Sequence, residues 1–246
     1  MSENIIIGRN PVLEALSKGR TIDKLYMRQG APDATLSKIK AMAKRSGIPV
    51  VEADRRRLDT LALGGNHQGV VAQAGLYGYV TVEEILKKAR EAGEAPFLVL
   101  CDRICDPHNL GAIIRSANAA GAHGVVITKH DGVGVNATVD KVSAGAASFT
   151  PIARVTNLVN VMDMLQKEGV WITGTDGKGD RSLFEADLSG PVAIVVGNEG
   201  EGMSRLVREG CDFLVSIPMK GQISSLNASA AAAILLYEAV RQRLSN

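Results

Sequence analysis

Residues Ile217 to Leu244 read IPMKGQISSLNASAAAAILLYEAVRQRL. The stretch opens as the end of an apolar strand that begins at Phe213, crosses a polar loop from Lys220 to Ser225, and enters a helix at about Asn227. Ala228, Ala230, Ala231, Ala232 and Ala233 make the first half of that helix slim, and alanine is the strongest helix former. Ser224, Ser225 and Asn227 are residue types whose side-chain oxygens cap helix starts. A strand, a polar loop and a slim helix in that order predict the last unit of an α/β sheet, with a helix able to approach other backbone closely.

Working outward, apolar runs at Phe97–Cys101, Val125–Thr128, Ile152–Val155, Val170–Thr173, Val192–Val196 and Phe213–Ile217 are mostly continuous rather than alternating. Such runs predict a sheet covered on both faces. Helices are expected between them, at Leu110–Ala120, Thr138–Ala147, Leu158–Lys167 and Ser204–Glu209. The result is an open, mostly parallel α/β sheet over residues 96–246. Ligands of such sheets sit beyond the carboxyl ends of strands, and three strand ends carry unusual residues. One is Cys101 to Arg115, CDRICDPHNLGAIIR, where Pro107 and Asn109 are set to start a helix that carries Arg115. Another is Gly197 to Met203, GNEGEGM, whose three glycines allow backbone to approach a ligand. The third is the opening stretch itself.

The glycine loop is not a phosphate cradle. There is no G-x-x-x-x-G-K-[ST] in the chain, and G-x-G-x-x-G is absent after Phe97–Cys101. Glu199 and Glu201 would repel a pyrophosphate, so a ligand with hydroxyls or positive charge fits better.

Residues 1–75 form a second, smaller pattern of alternating strands and helices, a small α/β domain. Strands are expected at Ile5–Ile7, Ile22–Met27, Ile48–Glu52 and Gly69–Ala74. Helices are expected at Val12–Leu16, with Asn10 as its cap and Pro11 at its first position, and at Ala34–Arg45 and Arg55–Leu61. Residues 76–95 read as a linker containing one short helix, announced by a Thr81-x-x-Glu84 capping box. Net charge is +2 overall. Residues 1–75 carry 12 Lys and Arg against 7 Asp and Glu, a basic front half suited to a polyanion. Arg9, Arg55, Arg56 and His67 are the front half's candidate contacts to such a polyanion. Nothing approaches a transmembrane run. The N-terminus has no secretory pattern. Three cysteines, Cys101, Cys105 and Cys211, supply neither a disulfide frame nor a metal set, so a cytoplasmic protein without a metal is expected.

Asn109 to Arg115 (N-L-G-x-x-x-R), Gly197 to Gly202 (G-N-E-G-x-G) and Ile217 to Ser229 (I-P-M…S-S-L-N-x-S) resemble, in order and spacing, the three motifs of SpoU-type (TrmH-like) RNA ribose 2′-O-methyltransferases. His67-Gln68-Gly69 and the front domain are similar to the substrate-binding domain of the bacterial 23S rRNA guanosine 2′-O-methyltransferases. The resemblance implies a C-terminal SPOUT α/β fold whose final helix is threaded as a deep trefoil knot, an exception to the usual connection rules. It also implies a small L30e-like front domain, S-adenosyl-L-methionine as cofactor, and a homodimer whose active sites are each completed by the partner.

By the same resemblance, Arg115, Asn109 and Glu199 are the catalytic residues. Gly197, Ile217, Leu226, Ser225 and Asn227 contact the cofactor, with Met219 and Thr175 as further candidates. Arginine, with a pKa above ~12, is a poor base at neutral pH. Arg115 therefore reads as a stabiliser of a developing alkoxide or a phosphate clamp. Asn109 is expected to cap its helix and orient Arg115 or the target nucleotide, and Glu199 to hold Asn or Arg side chains. The substrate expected is 23S rRNA or a precursor ribosomal particle. The alternatives are a methyltransferase acting on tRNA or another rRNA site, and a non-catalytic RNA-binding or ribosome-assembly factor.

Overall fold

The computed structural model describes residues 5–18, 20–30, 33–75, 77–177, 179–222 and 225–245 of the 246-residue chain. Ser224, one of the expected capping residues, lies outside them. The chain divides into two compact units, 1–78 and 79–246.

The front unit runs β1 (Ile5–Ile7), α1 (Arg9–Ser17), β2 (Ile22–Arg28), α2 (Ala34–Arg45), β3 (Val50–Ala53), α3 (Arg55–Leu61) and β4 (Val70–Ala74). Its four strands lie in the order β1-β4-β2-β3. β2 and β3 are parallel, and the pairs β1–β4 and β2–β4 are antiparallel. Alternation along β2 and β4 sorts the two faces. Leu25, Met27, Val70 and Ala72 pack with α1 and α2, whereas Tyr26 and Val71 pack with Leu58 of α3. The start of α1 differs from expectation. Gly8, at φ 92°, is its N-cap and makes no side-chain cap bond, so the helix begins at Arg9 and Asn10 lies inside it. Glycine at positive φ turns the chain two residues before the predicted cap.

The second unit runs α4 (Val82–Ala92), β5 (Phe97–Cys101), α5 (Pro107–Ala119), β6 (Gly124–Thr128), α6 (Ala137–Val142), β7 (Ile152–Val155), α7 (Leu158–Lys167), β8 (Trp171–Thr175), β9 (Arg181–Ser182), β10 (Val192–Val196), α8 (Arg205–Glu209), β11 (Phe213–Ser216) and α9 (Ala228–Leu244). Strand order is β7-β6-β5-β10-β8-β11-β9, and every named pairing is parallel. β5 and β10, at the centre, are buried along their whole length, which is why they lack alternation. The two-residue β9 has too little sequence to announce itself.

The helix expected in the linker is not a tether. Its capping box forms as predicted, Thr81 N donating to Glu84 Oε2 and Glu84 N to Thr81 Oγ1. Its apolar face, Val82, Ile85, Leu86 and Ala89, shares one core with Leu158, Met162 and Leu165 of α7. Four apolar residues at helical spacing are enough to draw it out of solvent.

α5 packs against α6 and α9. Gly111, inside the N-L-G motif, is where α6 approaches: a Cβ there would lie 2.8 Å from Val142 Cβ and 2.9 Å from the Val139 carbonyl. The far end of α9 is held by polar bonds. Gln242 bonds the backbone of Ala186 and Leu188, and Arg243 donates to the carbonyls of Ala95, Pro96 and Gly190 while stacking on Phe97.

Candidate active site

The three unusual strand ends meet. α5 is capped by Asp106, whose Oδ1 accepts from His108 N at 2.9 Å. Asp106 therefore takes the capping role expected of Asn109, because the helix starts at Pro107, two residues ahead of Asn109. Asn109 is freed for another use. It is buried, and its Nδ2 donates to Glu199 Oε1 at 2.5 Å, while its Oδ1 accepts from Asn227 Nδ2 at 2.9 Å. Asn227 Oδ1 in turn caps α9, accepting from the amides of Ser229 and Ala230 and from the Ser229 hydroxyl. The direction of the relay follows from chemistry. The amides at α9 demand the oxygen of Asn227, which leaves its nitrogen for the oxygen of Asn109, whose nitrogen then faces the Glu199 carboxylate. One residue from each motif is joined in a single chain of bonds.

The glycine loop is closed on itself and tied to the end of β5. Asn198 and Gly202 exchange two backbone bonds, and Asn198 Oδ1 accepts from the amides of Gly200 and Glu201. Asn198 Nδ2 donates to the Arg103 carbonyl at 3.0 Å, and Arg103 Nη1 donates to Glu201 Oε2 at 2.9 Å. A Cβ on Gly197 would collide with the backbone of Gly202 and Met203, so only glycine permits this turn. Asp102, buried at 3% exposure, accepts from Ser204 N at 2.6 Å. It thus caps α8, where the Ser204 side chain makes no cap bond.

Between this loop, the end of β8 and the entry to α9 lies a cleft of about 430 Å³, within the usual range for small-molecule sites. Thr175, Gly197, Glu199, Ile217, Met219, Ser225 and Leu226 line it, as do Asp176, Met203, Arg208, Ala228 and Ala231. Seven residues singled out from sequence are therefore brought together. Asn227 is not on the lining and acts from behind, through Asn109. The alanines of α9 that reach the cleft, Ala228 and Ala231, leave room where larger side chains would fill it.

Asp176 and Arg208 were not legible as site residues. Arg208 Nε donates to Asp176 Oδ2 at 2.7 Å, and this partner raises the Arg208 pKa. The available signal was positional: Asp176 directly follows β8, and strand ends are where such sheets bind ligands. Beside the cleft, burial first, and then the charges of Asp102 and Glu199, push the Cys101 thiol up to about 12. Cys211 is likewise pushed to about 12, by burial and then by Asp212.

Arg115 lies apart. It is exposed, makes no hydrogen bond or ion pair among the described residues, and is not on the cleft lining. Six residues along α5 from Asn109, it points about 120° away from the relay around the helix axis and roughly 9 Å further along it. In the front unit, Arg9, Arg55 and His67 line one polar cleft, and Arg56 is not among its lining residues.

A family model described as the SpoU rRNA methylase family matches residues 96–237, and one described as RNA 2′-O ribose methyltransferase substrate binding matches residues 5–80. The chain belongs to the SpoU rRNA methylase family. Within it, the chain is 46% identical over 248 residues to the 23S rRNA (guanosine-2′-O-)-methyltransferase RlmB of Shewanella oneidensis, covering 99% of each protein. Among solved structures of SpoU relatives, AviRb of Streptomyces viridochromogenes in complex with AdoMet matches with a TM-score of 0.63 at 30% identity, over 98% of this chain and 91% of that one. An AdoMet-bound rRNA methyltransferase of Sinorhizobium meliloti matches with a TM-score of 0.59 at 27% identity, over 97% and 87%. The protein is thus an RNA 2′-O-ribose methyltransferase with a front substrate-binding domain and a parallel α/β domain, as the motifs implied. Among the described residues, no helix is long and apolar enough to cross a membrane.

Proposed function

We propose that this protein methylates the ribose 2′-hydroxyl of a guanosine in 23S rRNA, using S-adenosyl-L-methionine held in the cleft of the second unit. The observation that carries the reading is the Asn227–Asn109–Glu199 relay, which ties three separate motifs together behind one cleft that Glu199 lines. Full-length relatedness to guanosine-2′-O-methyltransferases supports the choice of RNA and nucleotide. Such a substrate places the work in the cytoplasm.

The lining suits this cofactor. Asp176, Glu199 and Glu201 face the cleft with Arg208 as the cation, a balance that attracts a sulfonium and an ammonium and disfavours a pyrophosphate. Ile217, Leu226 and Met203 offer an apolar wall for an adenine, and the backbone around Gly197 offers donors and acceptors close to it. The cofactor supplies an electrophilic methyl on sulfur. Proximity and alignment with the ribose oxygen supply much of the acceleration, with an upper range of about 7–11 kcal/mol. Arg115 holds the nucleotide's phosphate and stabilises the negative charge that develops on the 2′-oxygen. Glu199 is held at the edge of the cleft by Asn109.

Arg115 serves the cleft of a second copy, so the working unit is a homodimer. Its exposure and its direction away from the relay support this. So do the exposed apolar residues Ile234 and Tyr237 on α9 and Phe149 near the 3₁₀ turn 146–148, two elements that flank α5. The glycine loop and the slim start of α9 facing one cleft support the knotted path. The test is methyl transfer to a 23S rRNA transcript, with the product digested and its nucleosides separated. A 2′-O-methylguanosine product is expected. A base-methylated product, or none with folded protein and intact RNA, overturns the reading.

A further inference from the structure

The methyl-transfer site leaves two sequence motifs without a role: Gly8-Arg9-Asn10-Pro11 and His67-Gln68-Gly69, both in the front unit. They are joined there. Arg9 N donates to Gln68 Oε1 at 3.2 Å and Arg9 Nε to the Gln68 carbonyl at 3.0 Å, and Gly8 N donates to the Val70 carbonyl. Gln68 is held at φ 50°, a conformation non-glycine residues seldom adopt and one that clusters at binding sites. His67 is buried and fixes the loop from within. Its Nδ1 accepts from Gly69 N at 2.9 Å, so its proton sits on Nε2, 3.1 Å from Asp59 Oδ1.

These contacts form the wall of a polar cleft of about 590 Å³ whose lining also includes Arg28, Asp33 and Arg55. Two of its charged groups remain open. Among the described residues, Arg28 makes no side-chain hydrogen bond or ion pair, and Asp59 Oδ2 accepts no hydrogen bond and has Arg55 Nε as its ion-pair partner at 3.8 Å. A guanidinium and a carboxylate oxygen thus face one space, with further cations at its rim.

We infer that this cleft binds one unpaired guanosine nucleotide of the RNA, a specificity pocket distinct from the cofactor cleft. The inference rests on the reading of the chain as an RNA methyltransferase and deepens it. Sequence-specific RNA recognition targets unstacked bases, read on their edges. Guanine alone among the four bases presents two adjacent acceptors, O6 and N7, which match a guanidinium fork. It also presents two adjacent donors, N1–H and N2–H, which match a carboxylate. Arg28 reads the acceptor pair, Asp59 the donor pair, and Arg55 takes the phosphate. Adenine offers the carboxylate a single amino group beside an acceptor that would repel it.

The test uses the full-length protein, labelled with ¹⁵N and saturated with S-adenosylhomocysteine so that the second unit's cleft is filled. GMP, AMP, CMP, UMP and inorganic phosphate are titrated separately while the amides of Arg9, Gln68 and Gly69 are followed. GMP should shift these signals and bind about tenfold or more tightly than the other nucleotides, and Arg28→Ala or Asp59→Asn should each weaken GMP about tenfold. Arg28→Ala removes no side-chain hydrogen bond or ion pair among the described residues, so it reads binding with little disturbance of the fold. Equal shifts from inorganic phosphate would reduce the cleft to an anion patch, equal affinity for AMP would remove the guanine reading, and silence of these amides would remove the pocket. Shifts of the Gly197 and Gly200 amides with S-adenosylhomocysteine report separately on the cofactor cleft, so failure of one site is not failure of the other.

Discussion

The two clefts of this protein are built from different materials. In the second unit, backbone makes the site: a glycine loop closed by its own amides, strand ends in fixed register, and an amide relay whose members leave no choice of orientation. In the front unit, charged side chains at the ends of β2 and α1 and along α3 make the site, and Arg28 and Asp59 keep unused capacity. Rigid backbone suits a small cofactor that must be placed to within a fraction of an ångström. Charged side chains suit a polyanion whose approach is steered by its phosphates. The difference predicts that the first site tolerates salt and resists substitution, and that the second does the reverse.

The largest expected effect is on chemistry alone. Arg115→Ala should lower single-turnover methylation by about 100- to 1000-fold and leave the calorimetric affinity for S-adenosylhomocysteine unchanged, because Arg115 does not line the cleft. An equal loss of cofactor affinity would place the arginine in the cleft after all.

Breaking the relay should come next. Asn227→Ala removes the α9 cap and leaves the Asn109 oxygen without its donor, at a cost of about 1–3 kcal/mol. Urea unfolding monitored by Trp171, in the second unit, measures it. An unchanged midpoint would mean that the relay holds nothing in place.

Salt separates the clefts more gently. RNA affinity should fall on a log–log plot with a slope of about −0.7 per phosphate neutralised on a single strand, and Arg55→Ala should flatten that slope by about 0.7. S-adenosylhomocysteine affinity should scarcely respond. A steep salt dependence for the cofactor would erase the contrast.

The smallest effect expected is an absence of reaction. With pKa values pushed up to about 12, Cys101 and Cys211 stay protonated at pH 8 and resist iodoacetamide. Exposed Cys105 reacts first. Mass spectrometry of peptides from native and unfolded protein reads this directly, and rapid labelling of Cys101 in the native state would show that the end of β5 is open to solvent.

The sequence made the parallel sheet legible because continuous apolar runs such as Val192–Val196 have few other uses. It made the cofactor cleft legible because Gly197–Gly202 and Ile217–Asn227 are short-range patterns. Capping was harder: Asp106 and Asn109 are both capping residue types three positions apart, and only the three-dimensional demand of Glu199 assigns Asn109 elsewhere. Asp176, Asp102 and Arg208 act through partners 32 to 102 positions away, a relation no local pattern encodes. The sequence announced α4 within 76–95 through its capping box but not its partner, since its amphipathic face names none until α7 is folded beside it.

The most direct test of where Arg115 works is complementation between two inactive chains. Arg115→Ala and Glu199→Ala proteins, each inactive alone, are mixed, unfolded and refolded together, and assayed on 23S rRNA. If Arg115 completes the cleft of a partner copy, mixed dimers hold one intact site, and activity should return to roughly a quarter of wild type for random pairing of two chains. Activity no higher than that of the separate variants would contradict the shared site and return Arg115 to its own chain.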